Sequence, residues 1–251
     1  MQSNELARQL TATVVCVAVS VASLAACDSN EQTGRSRTVS AQTKLCGANL
    51  SKGTRRALLD VLESRTYDWE WSNQKHLGDL AEPDQKSLGD AAKKLVSGFH
   101  ETGADENQEY PLCYAYGPSA VNAMIDLSFY FPKAIPESPA HQLTPYELGK
   151  VSLARSSRAY LYMECSSSEF GSGNEPVLIE GELGRLRLPA TESETMRMDN
   201  LNVLHAVSLA MVKELGCKGD AGLPARFSAP SSVPPPPDRT PSPALRRTPP
   251  S

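Results

Sequence analysis

Several signatures that would announce a chemistry are missing from this 251-residue chain. No two cysteines stand in a C-x-x-C pair, so neither a zinc ribbon nor a thioredoxin-like redox site has its spacing. The four histidines, His76, His100, His141 and His205, include no pair three or four residues apart, which leaves no zinc-binding helix motif. No long run of one charge sign occurs, and the net charge of -4 argues against a nucleic-acid partner, which would call for a basic stripe. No Gly-rich dinucleotide loop is present and no internal repeat is visible, so no cofactor is expected.

The N-terminus carries the clearest positive signal. Leu10 to Ala26 is apolar and small, follows Arg8, and runs straight into polar Asp28-Ser29-Asn30-Glu31. That is the layout of a secretory signal peptide. A retained membrane helix is the rival, but at about 17 residues the run is at the lower limit for crossing a bilayer, and its Ala, Ser and Thr content makes a poor anchor. Leu24-Ala25-Ala26-Cys27 resembles the lipobox of bacterial lipoproteins. The resemblance implies a diacylglyceryl group on the Cys27 thiol, cleavage just before it, and a protein held through membrane lipid on the extracytoplasmic face of the cell membrane. Several acyl chains, at about 0.8 kcal/mol per buried CH₂, make a stable anchor.

Six cysteines are present; removing Cys16 with the leader and Cys27 for the lipid leaves Cys46, Cys113, Cys165 and Cys217. An exported chain permits disulfides, and four cysteines allow three pairings that arithmetic cannot distinguish.

The domain organisation follows from composition. Residues 1–26 are the leader, and 27–44 are the lipidated cysteine with a polar, aperiodic tether. Residues 45–226 are one domain. Residues 227–251, with Pro234-Pro235-Pro236-Pro237, form a Pro-rich tail expected to be disordered or polyproline-like. Within the domain, Ser51 or Thr54 caps a helix carrying Leu58, Val61 and Leu62. Pro83 and Asp84 open a second helix, in which Leu88, Ala91, Ala92, Leu95, Val96 and Phe99 make one buried face. Strands are expected at Pro111–Tyr116, Met124–Phe131, Arg158–Cys165 and Val177–Leu183, with Gly171–Asn174 as a turn. In two of them Ile125, Leu127, Phe129 and Phe131, then Ala159, Leu161, Met163 and Cys165, alternate with mostly polar residues. A last helix from about Glu192 to Leu215 turns Leu204, Val207, Met211 and Leu215 inward and stops at Gly216. The expected class is α+β: a single domain with a mainly antiparallel sheet packed with about three helices.

Leu45-Cys46-Gly47 before a helix, Leu112-Cys113-Tyr114, Tyr162-Met163-Glu164-Cys165 and Lys213-Glu214-Leu215-Gly216-Cys217 together resemble small actinobacterial cell-surface lipoproteins of unknown function. The resemblance spans residues 45–223. It implies the pairs Cys46–Cys113 and Cys165–Cys217, whose loops of roughly 50–70 residues are worth about 4 kcal/mol each in the chain-entropy model. It brings no enzymatic residues.

Candidate sites are few. Ser72-Asn73-Gln74-Lys75 fits the S-x-x-K pattern, with a lysine amine one helical turn from a nucleophilic serine, but S-D-N and K-T-G are absent. Gly117-Pro118-Ser119-Ala120-Val121 begins like a nucleophile elbow and lacks its second glycine. Tyr146 and Lys150 have the Y-x-x-x-K spacing without a dinucleotide loop. Tyr67, Trp69 and Trp71, interleaved with Asp68 and Glu70, are the candidate binding rim, although packing is the commoner fate of such rings. The functional expectation is an envelope lipoprotein that binds a small molecule or a partner protein. A surface serine hydrolase acting through Ser72 or Ser119 and a structural spacer are the alternatives.

Overall fold

A computed structural model describes residues 43–72, 87–105, 107–118, 124–136, 142–171 and 175–233. Cys27 with its leader, most of the tether, Pro83, Asp84, His76, His141, Ser119 and residues 234–251 lie outside the described residues.

The domain opens with a hairpin, β1 (Lys44–Leu45) and β2 (Ala48–Asn49). Its two loop residues, Cys46 and Gly47, both have positive φ (49° and 80°), as a two-residue turn between twisted strands requires. Gly47 is also confined, because a β-carbon there would lie 3.1 Å from Leu88 Cβ. Helix α1 (Lys52–Val61) follows. Of the two expected caps, Ser51 takes the role: its Oγ accepts from the Thr54 amide at 3.0 Å. Thr54 is buried and donates to Asn202 Oδ1 at 2.9 Å. Helix α2 (Leu88–Thr102) is capped by Ser87, whose Oγ accepts from the Asp90 amide, and Gly103 at φ 69° ends it. Leu88, Ala91, Ala92 and Leu95 are its buried stripe, with Val96 and Phe99 packed partly against the core.

Among the described residues the strands β3 (Asp68–Trp71), β4 (Tyr110–Tyr116), β5 (Met124–Tyr130), β6 (Thr144–Tyr146), β7 (Val151–Arg155), β8 (Arg158–Cys165) and β9 (Val177–Arg185) form one antiparallel seven-stranded sheet. Its order is β3-β4-β5-β9-β8-β7-β6. The described residues thus form an α+β single domain, with three α-helices and the small β1-β2 hairpin beside the large sheet. Four of the seven strands, β4, β5, β8 and β9, sit where the sequence reading expects them. The three others, β3, β6 and β7, are only three to five residues long. Such stretches offer too few repeats of the period-2 pattern to stand out.

Helix α3 (Glu194–Glu214) packs between the sheet and α1. Leu204, Val207 and Met211 are buried as expected, and so are Asn200 and Ser208 in line with Leu204, and His205 beside them. A helix sandwiched between two layers has little face left for solvent, so its polar residues need internal partners. Asn200 Nδ2 accordingly donates to the Arg155 and Ser156 carbonyls at 3.1 Å each. Gly181 of β9 permits the close approach of α3, since a β-carbon there would lie 2.8 Å from Ser208 Oγ and 3.3 Å from Leu204.

Two disulfides staple these layers. Cys46–Cys113 joins the first hairpin to β4, with Cα atoms 5.8 Å apart. Cys165–Cys217 joins the end of β8 to the segment after α3, at 4.9 Å. The packed body also runs past the expected boundary at residue 226. Phe227 lies against His205, with ring centroids 5.7 Å apart, and Ser232 bridges to Tyr146. Composition read this stretch as tail because it is rich in Ser and Pro; backbone pairing holds it regardless.

Candidate functional site

The sheet has two chemically different faces. Toward α3 and α2 it turns Ile125, Leu127, Phe129, Ala159, Leu161, Met163, Ile179 and Leu183, all buried. The residues between them point the other way, because successive strand side chains alternate. Cross-strand register arranges them in three rows. Tyr114, Asp126, Gly184 and Arg158 are neighbours in the first. Ser128, Glu182, Tyr160 and Leu153 follow in the second, and Tyr130, Glu180, Tyr162 and Val151 in the third. Tyr116 stands beside Asp68, and Glu70 beside Tyr114, at the β3 edge.

The polar groups are knitted together. Arg158 Nε meets Glu182 Oε1 at 3.2 Å and its guanidinium donates to the Tyr160 hydroxyl at 3.4 Å. The Tyr130 hydroxyl donates to Glu182 and that of Tyr162 to Glu180. Ser128 Oγ donates to Glu109 Oε1 at 2.6 Å. Gly184 is required here, since a β-carbon would lie 2.7 Å from Asp126 Oδ1; the carboxyl leans over bare backbone. Burial is the main cause that raises the pKa of Asp126, Glu180 and Glu182. Glu180 is pushed up to about 7 by burial, assisted by the neighbouring Glu182 charge and opposed by the Tyr162 hydrogen bond. Burial is opposed at Asp126 by a backbone hydrogen bond and then by the Arg158 charge, and at Glu182 chiefly by the Arg158 charge. Burial, followed by neighbouring carboxylates, drives the Tyr130 and Tyr162 phenols well above their ordinary range, so they remain protonated donors. The face therefore offers carboxylate acceptors in excess over one guanidinium, with phenol rings between them.

The Tyr67-to-Trp71 segment is divided between the two sides of the sheet. Tyr67 is buried at 1 % exposure, its phenol raised to about 12 chiefly by burial. Trp69 and Trp71 pair with Ala115 and Cys113, pack edge-to-face at 5.0 Å, and lie against the core. The three rings expected as a binding rim are thus packing residues, because the strand period sends them to the covered side. Asp68 and Glu70 turn instead to the tyrosine-lined side. Sequence reading missed the polar face itself; its signal was the run of Tyr and Glu between the apolar positions of β8 and β9.

The remaining candidates are dispersed. Ser72 is buried, and its amide donates to the Leu112 carbonyl at 2.9 Å, while Lys75 lies outside the described residues. The Tyr146 hydroxyl accepts from Arg197 Nε at 2.9 Å, and Lys150 pairs with Glu164 at 3.0 Å, so the Y-x-x-x-K residues have separate structural partners. His205 is buried and bonded through Nε2 to the Pro224 carbonyl at 2.9 Å, the satisfied histidine its place in the helix predicted. His100 Nε2 bonds the Glu169 carbonyl at 2.8 Å. Among the described residues no helix is long and apolar enough to cross a membrane. No family model matches the chain, and no curated protein or solved structure matches it either.

Proposed function

We propose that this chain is an envelope lipoprotein, anchored through Cys27, whose α+β domain binds a small ligand on the tyrosine-lined face of its sheet. The lipobox-like Leu24–Cys27 and the two disulfides, which form in oxidising compartments, support the address. One observation carries the binding reading. Asp126, Glu180 and Glu182 are held half-buried or deeper among Tyr130, Tyr160 and Tyr162, at a cost in desolvation that the fold does not need for its core. Phenol rings supply rigid amphipathic contact area, and carboxylates accept hydrogen bonds. A ligand rich in donors, an oligoamine or an amino sugar, matches that chemistry.

The test is calorimetric titration of the mature protein at pH 8 with spermidine, glucosamine and neutral N-acetylglucosamine. Binding of an amine that weakens at least about ten-fold in Glu182→Gln and Tyr160→Ala, each tenfold being about 1.4 kcal/mol, supports the site. No binding by any probe, or binding indifferent to both substitutions, rejects it. The address is tested separately by mass spectrometry: an unmodified Cys27 on an intact leader ends the lipoprotein reading.

A further inference from the structure

The outermost strand of the large sheet at one end is β6, and an edge strand presents unpaired amides and carbonyls to any extended chain. Here the chain covers that edge with itself. Ser232 bridges antiparallel to Tyr146, the Glu147 amide donates to the Ser231 carbonyl at 3.1 Å, and the Val233 amide donates to the Pro145 carbonyl at 2.9 Å. Upstream the segment is seated by Phe227 against His205 and by the Pro224 carbonyl on His205 Nε2. The next four residues are prolines, which carry no amide hydrogen and cannot extend the ladder.

The seat is shallow. Phe227, Pro230 and Val233 are half-buried while Ser228, Ala229, Ser231 and Ser232 are exposed. Two backbone hydrogen bonds and one ring contact hold a segment of this length weakly, so tethering does much of the work. A short linker presents the segment at an effective concentration of about millimolar, enough to outcompete a free strand of equal intrinsic affinity.

We propose that the outer edge of β6 is a strand-acceptor site whose occupant is the 227–233 segment, in cis in the isolated chain and exchangeable for the same segment of a second copy. Pairing by strand addition draws its affinity from main-chain hydrogen bonds, which a second copy supplies as well as the first. The segment then acts as a strap that closes the edge until another chain's strap replaces it.

The experiment uses the mature full-length chain and a fluorescent peptide spanning Phe227 to Val233. Val233→Pro deletes the donor to Pro145, and Phe227→Ala empties the seat on His205. The double variant should bind the peptide at least about ten-fold more tightly than the parent, and its Glu147 amide should exchange with solvent correspondingly faster. Amide exchange elsewhere in β8 and β9 reports that the fold is intact. Equal binding by parent and variant overturns the proposal. So does a variant whose Glu147 amide has become fast yet takes up no peptide, or one whose Glu147 amide stays as slow as the parent's.

Discussion

The two faces of the large sheet use the same strands for opposite purposes. On β9, Ile179, Gly181 and Leu183 are buried on the side that meets helix α3, with the Ser208 hydroxyl over Gly181, while Glu180 and Glu182 on the alternate positions hold carboxyls among phenols and one guanidinium. The covered face gains from every apolar atom removed from water, at about 25 cal/mol per Å². The tyrosine-lined face gains little, since each hydrogen bond there replaces one to water and the carboxyls pay for desolvation. Stability therefore resides on one side of the strands and chemical capacity on the other.

Substitutions can break that division, and the largest effect belongs to the staple beneath the covered face. Replacing Cys165 and Cys217 together by alanine releases a loop spanning 52 residues of separation. Equilibrium unfolding in denaturant should then show a loss of about 4 kcal/mol. A loss below about 1 kcal/mol would mean the unfolded chain gains no freedom from opening the bridge.

Next in size, Leu183→Ala should cost about 3 kcal/mol, from lost burial plus the cavity left against α3. Its neighbour Glu182→Gln, on the same strand but the other face, should change stability by less than about 1 kcal/mol. Equal losses at 182 and 183 would erase the proposed contrast between the faces.

The pH dependence is smaller and has a definite sign. Because the folded chain holds the Glu180 proton up to about pH 7, above the ordinary carboxyl range, it binds more protons than the unfolded chain in between. That contribution is fully present below the ordinary pKa and is lost as pH rises through about 7. Glu180 by itself should lower the melting temperature by roughly a few degrees between pH 5 and pH 8, against the opposite slope of His205, whose pKa burial lowers. Asp126 and Glu182 are raised too and add slope of the same sign at the lower end. In Glu180→Gln the upper part of this slope should flatten, as differential scanning calorimetry would show. A slope unchanged by that substitution would place the titration elsewhere.

Much of this architecture is legible in the residues themselves. Period-2 alternation marks β5 and β8 within a residue or so of their ends, and the helix stripes mark Leu95 of α2 and Leu204 of α3 as core. These are local signals, set by backbone geometry over a few residues. Short strands carry too few repeats to stand out, so Trp69 and Trp71 remain a candidate rim beside the commoner packing role in the sequence, and the core contacts of β3 decide for packing. Serine and proline content likewise hid the pairing of 231–233, since edge pairing demands a free backbone and no particular side chain.

The sequence alone determined which residues alternate and where the helices stop. Only the tertiary structure decided that β9 inserts between β5 and β8, whereas Cys46–Cys113 and Cys165–Cys217 are the pairs that the resemblance implied. That insertion places Glu180 and Glu182 between Tyr130, Tyr160 and Tyr162. Strand order is a non-local choice, made by how the apolar faces of whole elements pack together, and no window along the chain contains it.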